Sequence, residues 1–312
     1  MEKKKFKLAI SKQTIIFLGM MVAVFVALSI TATGFFTWSN ITNILSDMVI
    51  PAVFALGMGI IFAVGGFDLS LGHMASMAAL LAAYCMSSAV YLTGFAASMV
   101  ALVACAVAGA ISGLVVSRLG VSSFIATLGM QFLIIGARFK ITGGKSIYIT
   151  LTSFKAIASR TSGGIPYLLF WLAIIALVCY IFMEKTTIGR KMQFIGSNID
   201  ASEYKGIDIR NLTLLAFVLG AVLAGLAGIL MAAKAGTVML ASADSYLLDA
   251  ITIAVLSKVL FGGKYKTIGI IAVAFLISMI GTGIVMLGWS SEWVIFAKGF
   301  IILIAIAISK IK

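Results

Sequence analysis

EKTTIGRKMQFIGSNIDASEYKGIDIR, Glu184–Arg210, is the longest polar interruption in a chain otherwise built of apolar runs. The long apolar stretches on either side belong in hydrocarbon. The interruption is therefore where the chain leaves the lipid and shows charged, helix-compatible residues to water. A membrane protein that does more than sit in lipid needs such a surface, because only there can a soluble partner push on it.

The composition agrees. Of 312 residues, 62% are hydrophobic and 11% charged. A soluble domain is about 45–50% apolar and about 25% charged, so both departures point to a polytopic membrane protein. Two prolines and 31 glycines suit transmembrane helices, which approach closely through small residues. The net charge of +13 sits mainly at the ends of apolar runs. That pattern is topology rather than a nucleic-acid footprint, and nucleic acid is excluded as a partner. Cys85, Cys105 and Cys179 lie inside apolar runs without a CxxC pair and read as small core residues. The N-terminal MEKKKFKLAISKQ leads into a run from Thr14 to Ile30, longer than a signal-peptide core, and predicts an uncleaved first span.

A helix needs about 20 apolar residues to cross a hydrocarbon layer of about 30 Å. Runs between polar breaks predict ten spans, at about 14–32, 43–64, 69–88, 95–116, 121–139, 166–183, 211–232, 246–261, 267–287 and 292–309. Pro51 should kink the second. An even number places both termini on one side. With that side cytoplasmic, fifteen lysines and arginines fall inside and six outside, as the positive-inside rule requires. The inside set includes Lys3, Lys4, Lys5, Lys7 and Lys312. The outside set is Arg138, Lys140, Lys145, Lys155, Arg160 and Lys234. The Arg138–Arg160 loop departs from the rule, with five positive charges and no acid. Polar segments of at most about 25 residues are too short for a core of their own, so the chain reads as one membrane domain, 1–312, with a cytoplasmic segment at 184–210. Gly109 and Gly113 form a GxxxG pair, and Ala221, Gly225 and Gly228 form a small-residue face. Both predict packing within the subunit.

Several chemistries are missing. The single histidine, His73, provides no metal cluster, and no GxSxG motif accompanies it. TGGKS, Thr142–Ser146, ends like a phosphate loop, but Phe139 stands where that loop needs glycine. The chain has no ATP site and no catalytic constellation. Ionisable residues inside apolar runs remain: Asp47, Asp68, Asp249, Lys258 and Lys298. A charge at a helix centre costs about 2.5–3.5 kcal/mol on insertion scales, so such residues face a cavity or a polar partner. In GGFDLSLG, 65–72, the pair Gly65–Gly66 ends one helix and Asp68 or Ser70 can cap the next. The same break can line a polar route, since irregular backbone at depth is buried in protein or meets water. Asp244 and Ser245 can cap the eighth span. Asp249 lies one turn further in, where the helix dipole favours an acid.

Four stretches, in order along essentially the whole chain, resemble the ribose-type permease subunits of bacterial ABC importers. They are GGFDLSLG (65–72), SSFIATLGM (122–130), GSNIDASEYKGI (196–207) and YLLDAITIAVLSKVLFGGKYKTIGI (246–270). Two departures stand out. Ser257–Lys258 replaces a glycine pair, and Gly281–Thr282–Gly283 stands where paired asparagines are common. The resemblance implies an all-α permease of the type II importer kind, with about ten transmembrane helices and both termini cytoplasmic. It implies a bacterial cytoplasmic (inner) membrane location and a second permease subunit, identical or paralogous. It also implies ATP-binding subunits that hold the ATP, an extracytoplasmic solute-binding protein, and no cofactor in this chain. The implied cargo is a monosaccharide, or a related polyol, nucleoside or signalling furanose.

Within the cytoplasmic stretch, Asn198 is a helix N-cap and Gly206 an αL terminator. The short helix between them, about Asn198 to Lys205, fits a groove of an ATPase. The expected coupling residues are Gly196, Asn198, Ala201, Glu203, Lys205, Gly206 and Ile207. Gly65, Gly66, Asp68, Ser70 and Asp249 are the translocation-pathway candidates, and the Arg138–Arg160 loop is where the binding protein would dock. The rival readings are a gradient-driven secondary transporter and, against the missing constellations, an intramembrane enzyme.

Overall fold

The structure is a computed structural model and describes residues 12–159 and 164–310. Lys3, Lys4, Lys5, Lys7, Arg160 and Lys312, which entered the charge count, lie outside the described residues. The described residues are overwhelmingly helical, and each predicted apolar run falls on a helix. The first five are α1 (Lys12–Thr31), α2 (Trp38–Ala63), α3 (Leu71–Met86), α4 (Gly94–Leu119) and α5 (Ser123–Thr142). After a loop with a short α6 (Thr152–Lys155) comes α7 (Tyr167–Tyr180), continued by a π-turn to Lys185. Two short helices follow, α8 (Thr187–Ser197) and α9 (Ile199–Tyr204). Four more follow: α10 (Ile209–Ala235), α11 (Tyr246–Leu260), α12 (Thr267–Met286) and α13 (Ser291–Lys310). Among the described residues, six helices are long and apolar enough to cross a membrane: α2, α4, α5, α7 with its π-turn, α10 and α12.

Helix lengths repeat. The series α2–α5 has 26, 16, 26 and 20 residues, and α10–α13 has 27, 15, 20 and 20. Packing between the two series is reciprocal: α10 lies against α3 and α4, α2 against α11 and α12, and α2 and α10 against each other. The second helix of each series, α3 or α11, is short. At a rise of 1.5 Å per residue they reach about 24 and about 22 Å, less than the bilayer core. Each follows an irregular stretch, residues 64–70 or 236–245.

The predicted small-residue faces make the central contacts. A Cβ on Gly109 would lie 2.5 Å from the Ala221 side chain, so α4 and α10 meet backbone to backbone there. A Cβ on Gly228 would collide with the Ala75 carbonyl of α3. Only hydrogen fits at either place, and the close approach maximises dispersion contact where lipid offers no hydrophobic drive. The core fills the space around α2, whose residues from Met48 to Ile61 are buried. Helix α2 continues through Pro51 unbroken. Cys85, Cys105 and Cys179 are free and buried. A two-residue antiparallel ladder, Ile147–Tyr148 with Thr237–Val238, ties the loop after α5 to the turn after α10.

Candidate functional site

The turn before α3 is built from two of the sequence signatures. Gly65 takes the left-handed conformation, φ 76°, that ends α2. Asp68 is fully buried, and its Oδ1 accepts from the Ser70 backbone N–H at 2.7 Å and the Ser70 hydroxyl at 2.6 Å. The extended backbone on either side finds partners on α5. The Phe67 N–H donates to Ser123 Oγ and the Leu69 N–H to Thr127 Oγ1, both at 3.1 Å. SSFIATLGM thus supplies the hydroxyls that satisfy the irregular backbone of GGFDLSLG. Ser70 occupies the N-cap position of α3, but its side chain makes no capping bond, so Asp68 does the local fastening.

The turn before α11 departs from expectation. Ser245 stands at the N-cap of α11 without a capping bond, and the Asp244 carboxylate does not cap the helix either. It accepts from both terminal nitrogens of Arg138, at 2.8 and 3.1 Å, and from Ser76 Oγ at 2.6 Å. A guanidinium fork outcompetes one backbone N–H for a carboxylate. Arg138 is only 2% exposed and also donates to the Leu240 carbonyl at 2.7 Å. The ring nitrogen Nδ1 of His73 lies 2.8 Å from Arg138 Nη2 and 2.9 Å from Asp244 Oδ2. A neutral ring protonated at Nε2 accepts from the guanidinium there. A ring protonated at Nδ1 donates to the carboxylate instead. This cluster joins α3, α5 and the 236–245 turn, and reading the sequence alone missed it. Arg138 is correspondingly no loop charge. Lys140 likewise stands in the last turn of α5, so the first charge of the loop itself is Lys145.

The stretch from Glu184 to Arg210 holds two helices rather than one. Thr186 caps α8, accepting from the Gly189 N–H at 3.1 Å. Gly196, expected as a turn, sits in the last turn of α8. A Cβ there would collide with the Ala63 carbonyl at the end of α2, and that contact is why glycine stands here. From Asn198 onward the expectation holds. Asn198 Oδ1 accepts from the Ala201 N–H at 2.9 Å, and α9 follows. Gly206 ends it at φ 67°, donating to the Glu203 carbonyl, while the Ile207 N–H bonds Ser202. Glu203 and Lys205 are exposed, Ala201 is half-buried, and Tyr204 stands 93% exposed at the tip. Lys205 lies over the Phe194 ring at 4.2 Å, which joins α9 to α8.

Two further contacts lie beside or within this unit. Lys258 of α11 donates to the Phe62 carbonyl at the end of α2, 3.3 Å away, one residue from the Ala63–Gly196 contact. Glu184 accepts from Lys266 at 2.7 Å and from the Thr267 N–H at 2.9 Å, capping α12. Asp208 precedes α10 and accepts from the Asn211 N–H, which holds its carboxyl below the usual range.

The pathway candidates do not form one group. Gly65, Gly66, Asp68 and Ser70 make the turn before α3. Asp249, in the first turn of α11, pairs with Lys298 of α13 at 2.7 Å and lines a cavity of about 790 Å³ among α2, α11, α12 and α13. Asp47 pairs with Lys234 at 2.6 Å. Among the described residues, no group of three or more His, Cys, Asp or Glu could hold a metal ion.

Residues 40–306 match the family model described as branched-chain amino acid transport system / permease component. The ribose import permease protein of Escherichia coli is 29% identical over 300 residues, 94% of this chain and 93% of the relative. The galactose/methyl galactoside import permease protein of Haemophilus influenzae is 29% identical over 292 residues, 88% of this chain and 87% of the relative. The D-allose transport system permease protein of Escherichia coli is 28% identical over 317 residues, 99% and 95% of the two chains. No solved structure matches significantly.

Proposed function

The chain belongs to the branched-chain amino acid transport system / permease component family, and from that premise we propose that it is the membrane-spanning permease subunit of an ATP-binding-cassette importer for a monosaccharide. It is a transport component and not an enzyme. The observation that carries the sugar reading is the nearly end-to-end alignment with permeases named for ribose, galactose and allose.

The mechanism proposed is alternating access driven from outside the chain. ATP is bound and hydrolysed by a partner ATP-binding subunit, and α9 is the element that partner moves. A rigid lever needs both ends fixed and its tip free, and α9 has that form: capped by Asn198, closed by Gly206, and exposed at Glu203, Tyr204 and Lys205. Motion of α8 and α9 would reach the core where Gly196 touches α2, because α2 leads directly into the Gly65–Ser70 turn and is also gripped by Lys258. A second permease subunit, identical or paralogous, would complete the path, and a solute-binding protein would deliver cargo at the opposite face. We place the chain in a bacterial cytoplasmic membrane with ten spans and both termini cytoplasmic. In support, one end of the bundle gathers the α8–α9 unit and the Arg118–Asn211 and Glu184–Lys266 pairs, as the predicted inside loops would.

The test is uptake of labelled ribose, galactose and allose into proteoliposomes holding this chain with its ATP-binding subunit and binding protein. The proposal expects uptake of at least one sugar that needs internal-face ATP and all components. Uptake by this chain alone under an ion gradient would establish a secondary transporter instead.

A further inference from the structure

We propose that the cavity among α2, α11, α12 and α13 holds the solute during transport, and that the Asp249–Lys298 pair and Thr282 recognise an uncharged polyhydroxylated molecule there. The inference rests on the sugar-importer reading and assigns its substrate site. It shifts the site away from the Asp68 turn, because Asp68 is fully enclosed: its Oδ1 is bonded to Ser70, and its Oδ2, though without a partner, faces no solvent.

Cavity size comes first. About 790 Å³ lies within the 300–1,000 Å³ of small-molecule sites. Chemistry comes second. Asp249 and Lys298 both lie on helices built of apolar sequence, where an ion pair is costly to install and usually faces a cavity or polar partner. Their side chains are 15% and 26% exposed, so both open toward the cavity while bonded at 2.7 Å. A carboxylate accepts from two adjacent hydroxyls and an ammonium donates to a third, which is the demand of a sugar. Thr282 and Ser245 add hydroxyls to the wall, and Leu248, Val285 and Ile295 give an apolar face for C–H groups.

Charge comes third. Asp47 also lines the cavity and is balanced by Lys234, as Asp249 is by Lys298. The two acids meet two bases, so the site is neutral and rejects a net charge, which would be desolvated without a counter-ion. Finally, Gly281 and Thr282, part of the segment where the sequence departs from the asparagines it otherwise resembles, line this wall. Small residues there enlarge the cavity. They sit where a change alters cargo without disturbing the motifs that hold the fold.

The position is consistent with the helix arrangement. Asp249 lies in the first turn of α11, one of the two short helices that begin after an irregular stretch. In transporters built from repeated units, such interrupted helices mark the solute site.

The experiment uses the complete reconstituted importer and reads two rates together, uptake of labelled ribose, galactose and allose, and ATP hydrolysis stimulated by the binding protein. Asp249→Asn removes the charge at constant shape, and Thr282→Val removes one hydroxyl at constant volume. The expected result for Asp249→Asn is about a tenfold fall in sugar moved per ATP, the loss of a hydrogen bond to a charged group, with ATP hydrolysis within about twofold of the parent. Thr282→Val should change the ranking among the three sugars. The exchanged pair Asp249→Lys with Lys298→Asp should not restore uptake, because sugar hydroxyls would meet the charges in inverted positions. Full restoration by the exchanged pair, or unchanged uptake per ATP in both single variants, would show the ion pair to be structural and overturn the assignment. If the unmodified importer moves none of the three sugars, the sugar reading itself fails and takes this site with it.

Discussion

The turns before α3 and α11 occupy the same place in two similar series of helices, yet they are held in different ways. The first is fastened by near neighbours and neutral donors. Asp68 meets Ser70 two residues away, and α5 adds two hydroxyls to the flanking N–H groups. The second depends on one long-range charge, Arg138, which reaches Asp244 from 106 residues away and is all but fully buried. The second turn also rests on the helix that follows the first, since Ser76 of α3 bonds Asp244 and a Cβ on Gly72 of α3 would lie 3.0 Å from the Asp244 carbonyl. A locally capped turn can form early and tolerates the loss of one bond. A turn closed by a buried ion pair does not, because either partner alone is an uncompensated charge.

The largest test of that contrast is Asp244→Asn. It leaves the Arg138 guanidinium buried without its carboxylate and should cost about 3–5 kcal/mol, read as a drop in the thermal midpoint of the purified chain in detergent. Adding Arg138→Met should recover most of the loss, since the unpaired charge is then gone. A double variant no better than the single would mean the pair contributes shape rather than charge balance. A smaller effect is expected on the other turn. Thr127→Val leaves the Leu69 N–H without its acceptor and should cost about 1–3 kcal/mol by the same measurement. Equal losses at the two sites would erase the distinction between them.

The same contrast explains what the sequence revealed. Apolar runs located the helices because hydrocarbon thickness sets their length, and small-residue spacing marked Gly109 and Ala221 as packing residues, though not that they meet each other. Caps that act over two to three residues are legible too: Asn198 onto Ala201 and Gly206 ending α9, while of the two candidates before α3 the structure selects Asp68, which bonds Ser70. Partners distant in sequence are not. Arg138 read as a loop charge, and Asp244 read as a cap, because nothing in the spacing of either residue names the other. Asp249 and Lys298 were each flagged as charges in apolar runs, but their meeting across a cavity needs α11 and α13 side by side. Gly196 carried a signal that pointed the wrong way. A glycine in a polar stretch suggests a turn, whereas this one allows α8 to press on the end of α2. Segment 184–210 stands out by its polarity, but the sequence points to one helix in it; α8, which precedes α9, is hidden because it depends on the Thr186 cap and on packing beneath it.

The central claim is that another protein's ATP cycle acts through α9. Gly206→Pro tests it most directly, because proline cannot adopt the observed φ of 67° and lacks the N–H that bonds Glu203. Sugar taken up per ATP hydrolysed is measured in the reconstituted importer, alongside the charge reversals Glu203→Lys and Lys205→Glu. The account predicts that the variants insert in the membrane and ATP is still hydrolysed, while uptake per ATP collapses. Parental uptake per ATP in these variants would contradict it.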